Sequence, residues 1–202
     1  MSASHGKHTA HYHRCPQCDL VMQVADELPT PAAEKALYDQ HENDLGDPGY
    51  RRFLAPVRDA VLARYPQPAR GLDFGAGPAP ALAAMLREAG HDMAVYDPFY
   101  ANDSTVLEQR YDFVVCTEAV EHFHVPRTSL ELLFSLLRPA GELFVMTRLL
   151  LPDVEFASWW YPRDPTHVAF YSPQCLQWIA SWQGRPVTLR GDRLAHFGAD
   201  RA

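Results

Sequence analysis

Four groups of residues in this chain have types and spacings that can do chemistry. Leu72-Asp73-Phe74-Gly75-Ala76-Gly77-Pro78-Ala79-Pro80 places an acid two residues before a Gly-x-Gly turn. Asp97 follows 24 residues after Asp73. Thr117-Glu118-Ala119-Val120-Glu121-His122 sets two carboxylates and an imidazole at i, i+3 and i+4, with His167 far downstream in Asp164-Pro-Thr-His. Cys15-Pro-Gln-Cys18 has the spacing of one metal knuckle.

Two glycines let backbone turn sharply and come close to a ligand. A pyrophosphate-binding turn wants a third Gly or Ala where Pro80 stands, and it would be repelled by the carboxylate of Asp73. A dehydrogenase is disfavoured on both counts. S-adenosylmethionine carries an ammonium and a sulfonium and no phosphate, so the acid-x-Gly-x-Gly pattern suits it better. Asp97, closing an apolar run that ends in Tyr96, is placed to accept both ribose hydroxyls. The expected cofactor wall is Asp73, Gly75, Ala76, Gly77, Asp97, Pro98, Cys116, Thr117 and Glu118.

Should the chain turn helical at 117–122, Glu118, Glu121 and His122 share one face. With His167 they form an oxygen-rich set suited to Mg²⁺ or Mn²⁺ that would hold an acceptor hydroxyl and lower its pKa. The metal-free alternative uses His167 or His122 as general base, with Glu121 beside it; the bland one makes Glu121 and His122 a helix cap or wall. For Cys15 and Cys18, zinc needs two more ligands, and His5, His8, His11 and His13 are the upstream candidates; a degenerate, metal-free ribbon is the alternative.

These groups need elements to position them. From Arg70 onward the pattern alternates: strands at Gly71–Phe74, Asp92–Tyr96, Tyr111–Cys116 and Glu142–Thr147, helices at Pro80–Ala89, Thr128–Leu137 and Pro173–Trp182, and a final hairpin at Val187–Phe197. That alternation reads as a mostly parallel α/β sheet. Residues 1–30 form a polar, His-rich Cys/His segment, 31–66 a helical lid, and 67–202 the α/β domain. The aromatic run with Phe156, Trp159, Trp160, Tyr161, Phe170 and Tyr171 reads either as a wall for an acceptor or as packing at the core edge.

The segments GLDFGAGPAP, VYDPFY, YDFVVCTEAVEHF, LLRPAGELFVMT and RDPTHVAFYS, over roughly residues 11–197, resemble the successive motifs of class I methyltransferases. The chain is similar in particular to small bacterial methyltransferase-domain proteins with a Cys-containing N-terminal segment. The resemblance implies a seven-stranded Rossmann-like sheet of order 3-2-1-4-5-7-6, with strand 7 antiparallel. It implies that Asp73, Gly75 and Gly77 hold the methionine end and Asp97 the ribose, and that the segment with Tyr38, His41 and Asn43 covers the crevice. Two departures stand out: Ala79 replaces a usual third glycine, and Ala101–Arg110 is short for strand 3. The Glu-x-x-Glu-His segment with a distant His resembles the metal site of small-RNA 2′-O-methyltransferases and the corresponding segment of ubiquinone-biosynthesis O-methyltransferases.

The expected activity is methyl transfer to a small-molecule acceptor, at oxygen. RNA 2′-O-methylation is the first rival; a net charge of -7 weighs against nucleic acid as partner. A non-catalytic cofactor-binding module is the second. No apolar run reaches the ~18 residues of a membrane span, and no apolar leader opens the chain, so a cytoplasmic setting is expected. The identity of the acceptor and the number of subunits are set by features outside these motifs.

Overall fold

The computed structural model describes residues 1–5, 8–40 and 44–199. His41 and Asn43, singled out above, lie outside them.

The main sheet has six strands: β4 (Arg70–Phe74), β5 (Asp92–Tyr96), β6 (Tyr111–Thr117), β7 (Leu137–Met146), β9 (Val187–Arg190) and β10 (Leu194–Phe197). Their order is β5-β4-β6-β7-β10-β9. The first four are mutually parallel; β10 runs antiparallel to β7 and β9. This is the class I order without strand 3. Its place in the chain is taken by a 3-10 turn at Ser104–Glu108. The run Arg138-Pro-Ala-Gly141 does not end before β7, as its turn residues suggest. It is absorbed into the strand through an irregularity opposite Tyr111/Phe113.

Helices cover both faces. Helices α2 (Pro48–Arg64) and α3 (Ala81–Glu88) bury Leu54, Val57, Val61, Leu82, Met85 and Leu86 against one face. Helices α4 (Pro126–Ser135) and α5 (Pro173–Gln183) bury Leu130, Leu133, Leu176 and Ile179 against the other. Strand alternation assigns Phe113, Val115, Phe144 and Met146 to the α2/α3 side and Val114, Cys116, Leu143 and Val145 to the α4/α5 side. Burial on both faces is why β6 reads as an unbroken apolar run.

Helix α2 is pinned to β7 by charge. Arg64 donates from Nε to both oxygens of Glu142 at 2.6 Å, and His196 of β10 approaches Glu142 at 2.9 Å. Glu142 is buried. Glu142→Ala strands a guanidinium at a half-covered site and is expected to cost about 3 kcal/mol. Urea unfolding of the variant checks this.

The N-terminal segment, polar and without helical period, folds as strands. β1 (Ser2–His5), β2 (His8–Arg14) and β3 (Val21–Gln23) join β8 (Ala169–Phe170) in a second sheet of order β1-β2-β3-β8. Tyr12 and Val21 pack there on Leu150, Phe156, Trp159, Tyr161 and Phe170. The aromatic run is thus core beneath the N-terminal sheet, with Trp160 alone of the six exposed, at 56%. Helix α1 (Pro31–Tyr38), capped by the Thr30 hydroxyl on the Ala33 N–H, follows. No helix of the described residues is long and apolar enough to cross a membrane.

Candidate active site

A crevice of about 750 Å³ opens at the carboxyl ends of β4, β5 and β6. Ligands of open α/β sheets bind there, where strand order reverses. One wall is the turn after β4. Gly75 and Gly77 both take positive φ, 73° and 65°. The Gly75 N–H donates to the Tyr96 carbonyl at 2.8 Å, and the Gly77 N–H to Asp97 Oδ2 at 2.8 Å. Asp97 Oδ1 accepts from the N–H groups of Phe99 and Tyr100 at 2.9 and 3.1 Å. The Asp97 carboxylate therefore fixes the glycine turn and the end of β5 to each other.

Gly75, Ala76, Gly77, Asp97, Pro98, Thr117 and Glu118 line the crevice as expected from sequence. Asp73 and Cys116 do not. Cys116 is fully buried, because strand alternation turns its side chain into the α4/α5 core. Asp73 sits under the turn, 2% exposed, where Oδ2 accepts the Ala83 N–H of α3 at 3.1 Å. Its other oxygen has no partner among the described residues. Asp73 braces the turn from beneath.

Burial pushes the Asp73 carboxyl up to about 7, against an ordinary value of 3.8. The folded protein then keeps a proton that the unfolded chain gives up near pH 4. That contribution to stability is complete below about pH 4 and is lost as pH rises through about 7, by roughly 4 kcal/mol. Urea unfolding of the cofactor-free protein at pH 5 and pH 8 should show the decline, and Asp73→Asn should flatten it.

The second wall departs from a single helical face. Glu118 takes φ 48°, and only Val120–His122 form one 3-10 turn. Glu118 therefore separates from the other two. Glu121, His122 and His167 do converge: one ligand atom from each lies within 4.8 Å of the others. Their surroundings orient them. His122 Nδ1 lies 2.8 Å from the Thr166 carbonyl, and His167 Nδ1 2.8 Å from the Tyr161 carbonyl. A carbonyl only accepts, so each Nδ1 carries a proton, and in a neutral ring the lone pair is left on Nε2. Burial lowers the His167 pKa and so favours the neutral ring. Glu121 is fully buried; Oε1 accepts the Tyr161 hydroxyl, and Oε2 has no partner among the described residues. Glu118 joins them only through that hydroxyl, 3.5 Å away. Burial first, and then the charge of Glu121, push Glu118 up to about 8.

The roof comes from α1 and was only partly legible. Glu34 lies 3.0 Å from His124 Nε2, and Asp39 accepts the Tyr100 hydroxyl at 2.7 Å, so α1 is fastened to both lips. Tyr38 meets His122 edge-on at 5.3 Å. Tyr50 from α2, Phe123 and Asp164 complete the lining. Glu34 and His124 have no local sequence signal; only tertiary packing pairs residues 90 positions apart.

Residues 48–184 match the model of a family described as a methyltransferase domain. The chain belongs to the class I, S-adenosylmethionine-dependent methyltransferase family. Its fold is shared with the Burkholderia thailandensis 1,6-didemethyltoxoflavin-N1-methyltransferase, solved with 1,6-didemethyltoxoflavin and S-adenosylhomocysteine bound. That structure has a TM-score of 0.60 and 16% identity over 96% of this chain and 97% of that one. An O-methyltransferase family protein of the same organism has a TM-score of 0.56 and 15% identity over 83% of this chain. This chain spans 59% of its length. A methyltransferase of Archaeoglobus fulgidus described as SAM-dependent has a TM-score of 0.52 and 20% identity, covering 68% of this chain and 71% of that one. No curated protein matches the sequence significantly.

Proposed function

We propose that this methyltransferase moves the methyl group of S-adenosylmethionine to a hydroxyl of a small, uncharged or cationic acceptor. We further propose that Glu121, His122 and His167 hold a divalent cation beside that hydroxyl. The observation that carries this reading is the convergence of two crevice-lining imidazoles, each held by a backbone carbonyl, with an oxygen of Glu121 that has no partner among the described residues; Glu121 is buried behind that wall and does not itself line the crevice. Hydrogen bonds from the far ring nitrogen to backbone carbonyls are the usual support of metal-binding histidines. Two imidazoles and one carboxylate suit Mn²⁺ better than Mg²⁺. A bound cation supplies Lewis acidity that lowers the pKa of a neighbouring hydroxyl.

The chain's own residues do the rest. Backbone at Gly75 and Gly77 leaves room for the methionine end, and Asp97, whose Oδ2 keeps one acceptor position beyond its bond from the Gly77 N–H, accepts a ribose hydroxyl. The acceptor oxygen attacks the sulfonium methyl carbon, the carbon–sulfur bond breaks, and the electron pair stays on sulfur. Holding the two reactants in one crevice supplies much of the rate. His167, which lines the crevice and whose burial favours the neutral ring, takes the hydroxyl proton at Nε2 in the metal-free reading, and Asp164 Oδ2 at 3.8 Å stabilises the resulting imidazolium.

Among the described residues, no lysine or arginine lines the crevice, whereas Glu34, Asp97, Glu118 and Asp164 do. Phosphate-bearing acceptors, RNA included, meet no compensating charge there. Mn²⁺ titration by calorimetry, paired with turnover on a panel of hydroxylated acceptors, tests the reading. One equivalent should bind and be lost in His122→Ala, and chelation should stop turnover. Turnover that survives chelation but not His167→Ala assigns the base role instead. S-adenosylmethionine binding with no turnover across the panel leaves only the binding-module alternative.

A further inference from the structure

The Cys15–Cys18 turn lies apart from the crevice and is not used by methyl transfer. Between β2 and β3 the chain reverses through Cys15-Pro16-Gln17-Cys18-Asp19-Leu20. The turn is closed by the Cys15 N–H on the Leu20 carbonyl at 2.8 Å and the Asp19 N–H on the Cys15 carbonyl at 2.9 Å, with Asp19 at φ 63°. Amide N–H groups of Cys18 and Gln17 point at the Cys15 sulfur, and that of Leu20 at the Cys18 sulfur. Cys15, Cys18 and Cys175 of α5 line one small cavity. Cys15 and Cys18 are half-buried; Cys175 is buried at the base of a cavity of about 220 Å³.

Zinc does not fit this turn. The backbones of His5 and His8 are register partners of β1 and β2, at the opposite end of β2 from Cys15. Seven residues of strand at ~3.3 Å each separate His8 from the knuckle by roughly 20 Å. His11 Nδ1 is held by Glu27 at 2.7 Å, and among the described residues neither His11 nor His13 joins the cysteines in a three-ligand set. The sulfurs of Cys15, Cys18 and Cys175 do not gather within 4.8 Å. Among the described residues only Glu121, His122 and His167 make such a set. A closed structural site needs four ligands.

We propose that Cys15 and Cys18 form a reversible dithiol–disulfide site for low-molecular-weight disulfides of the glutathione type, Cys15 attacking and Cys18 resolving. The Cys15 thiolate attacks one sulfur of the disulfide and expels one small thiolate. Cys18 then gives its proton to solvent and attacks the Cys15 sulfur, expelling the second. Two protein thiols become one disulfide, and the small disulfide becomes two thiols. The roles follow from the surroundings. The amide N–H groups of Cys18 and Gln17 hold the Cys15 thiol below its ordinary range, whereas burial pushes Cys18 up. Burial also pushes Cys175 far up, which keeps it a thiol.

The turn is wired into the domain. Asp19 accepts the Ser172 hydroxyl, and Ser172 Oγ in turn accepts the Cys175 N–H at 3.0 Å as the cap of α5. The Gln23 N–H of β3 donates to the Val168 carbonyl at 2.8 Å, and the Val168 N–H to the Glu121 carbonyl at 2.8 Å. The sheet that the turn closes thus bears on the segment carrying His167.

The full chain, equilibrated over a range of reduced-to-oxidised glutathione ratios, alkylated and peptide-mapped, tests the proposal. Cys15 and Cys18 should disappear together as one linked peptide, with Cys116 and Cys175 alkylated only after denaturation. Cys18→Ser should stop at a glutathione adduct on Cys15, and Cys15→Ser should leave Cys18 free. Three results would overturn it: both thiols remaining alkylatable at every ratio, a Cys18–Cys175 link, or one equivalent of zinc in the native protein that Cys15→Ser removes. The wild-type peptide map decides the matter even where a variant fails to fold.

Discussion

Gly75→Val is expected to abolish S-adenosylhomocysteine binding, with at least a hundredfold rise in Kd by calorimetry. Gly75 sits at φ 73°, a region that β-branched residues essentially do not enter. A Cβ there would lie 2.6 Å from the Ala119 Cβ, so the turn and the Thr117–Ala119 segment would have to separate. Those two segments are the facing walls of the crevice. Strain of this kind costs about 1–3 kcal/mol before the clash is counted. The shift would also break the Gly75 N–H bond to Tyr96 and disturb the Gly77 bond to Asp97. Gly77→Ala is the internal control. Its φ of 65° is also left-handed, yet a Cβ there meets nothing within 4 Å. Only the conformational cost remains, so binding should weaken about tenfold, the equivalent of ~1.4 kcal/mol. Equal losses in the two variants would mean that the close approach to Ala119 does not shape the cofactor wall.

The contrast between these glycines marks what the sequence made legible. Asp73, Gly75, Gly77 and Asp97 are local features of strand ends and turns, and local pattern places them at the carboxyl ends of β4 and β5. The missing strand 3 was likewise visible as a stretch too short and polar to span it. Proximity to the crevice in sequence does not tell which face of β6 Cys116 takes, and the α4/α5 core claims it. Glu118 shares a face with Glu121 and His122 only in a helix, and its left-handed φ breaks that helix before it starts. The sequence leaves the aromatic run open between an acceptor wall and core packing, because its partners, Tyr12 and Val21, lie about 150 residues away in a segment with no evident structural period. Long-range pairing also hid the roof, where Glu34 meets His124, and the approach of Cys175 to the knuckle.

Glu121→Gln should lower turnover by about 10²–10⁴-fold, while the unfolding free energy stays level or rises by about 1 kcal/mol. The amide oxygen can still accept the Tyr161 hydroxyl, so the local network keeps its shape. The substitution removes a fully buried carboxylate whose second oxygen has no partner among the described residues. It also removes the like charge that, after burial, holds Glu118 up near 8. Uncompensated buried charge destabilises, and a neutral isostere relieves it. A residue retained only for packing would show the reverse: stability lost, turnover kept. His122→Ala and His167→Ala should each cost as much turnover as Glu121→Gln, and the double variant little more, because the three groups act as one unit. S-adenosylhomocysteine affinity should stay within about twofold throughout, since the glycine turn proposed to hold the cofactor lies across the crevice. Additive losses in the double variant would separate the two histidines into independent roles and leave no common ion between them.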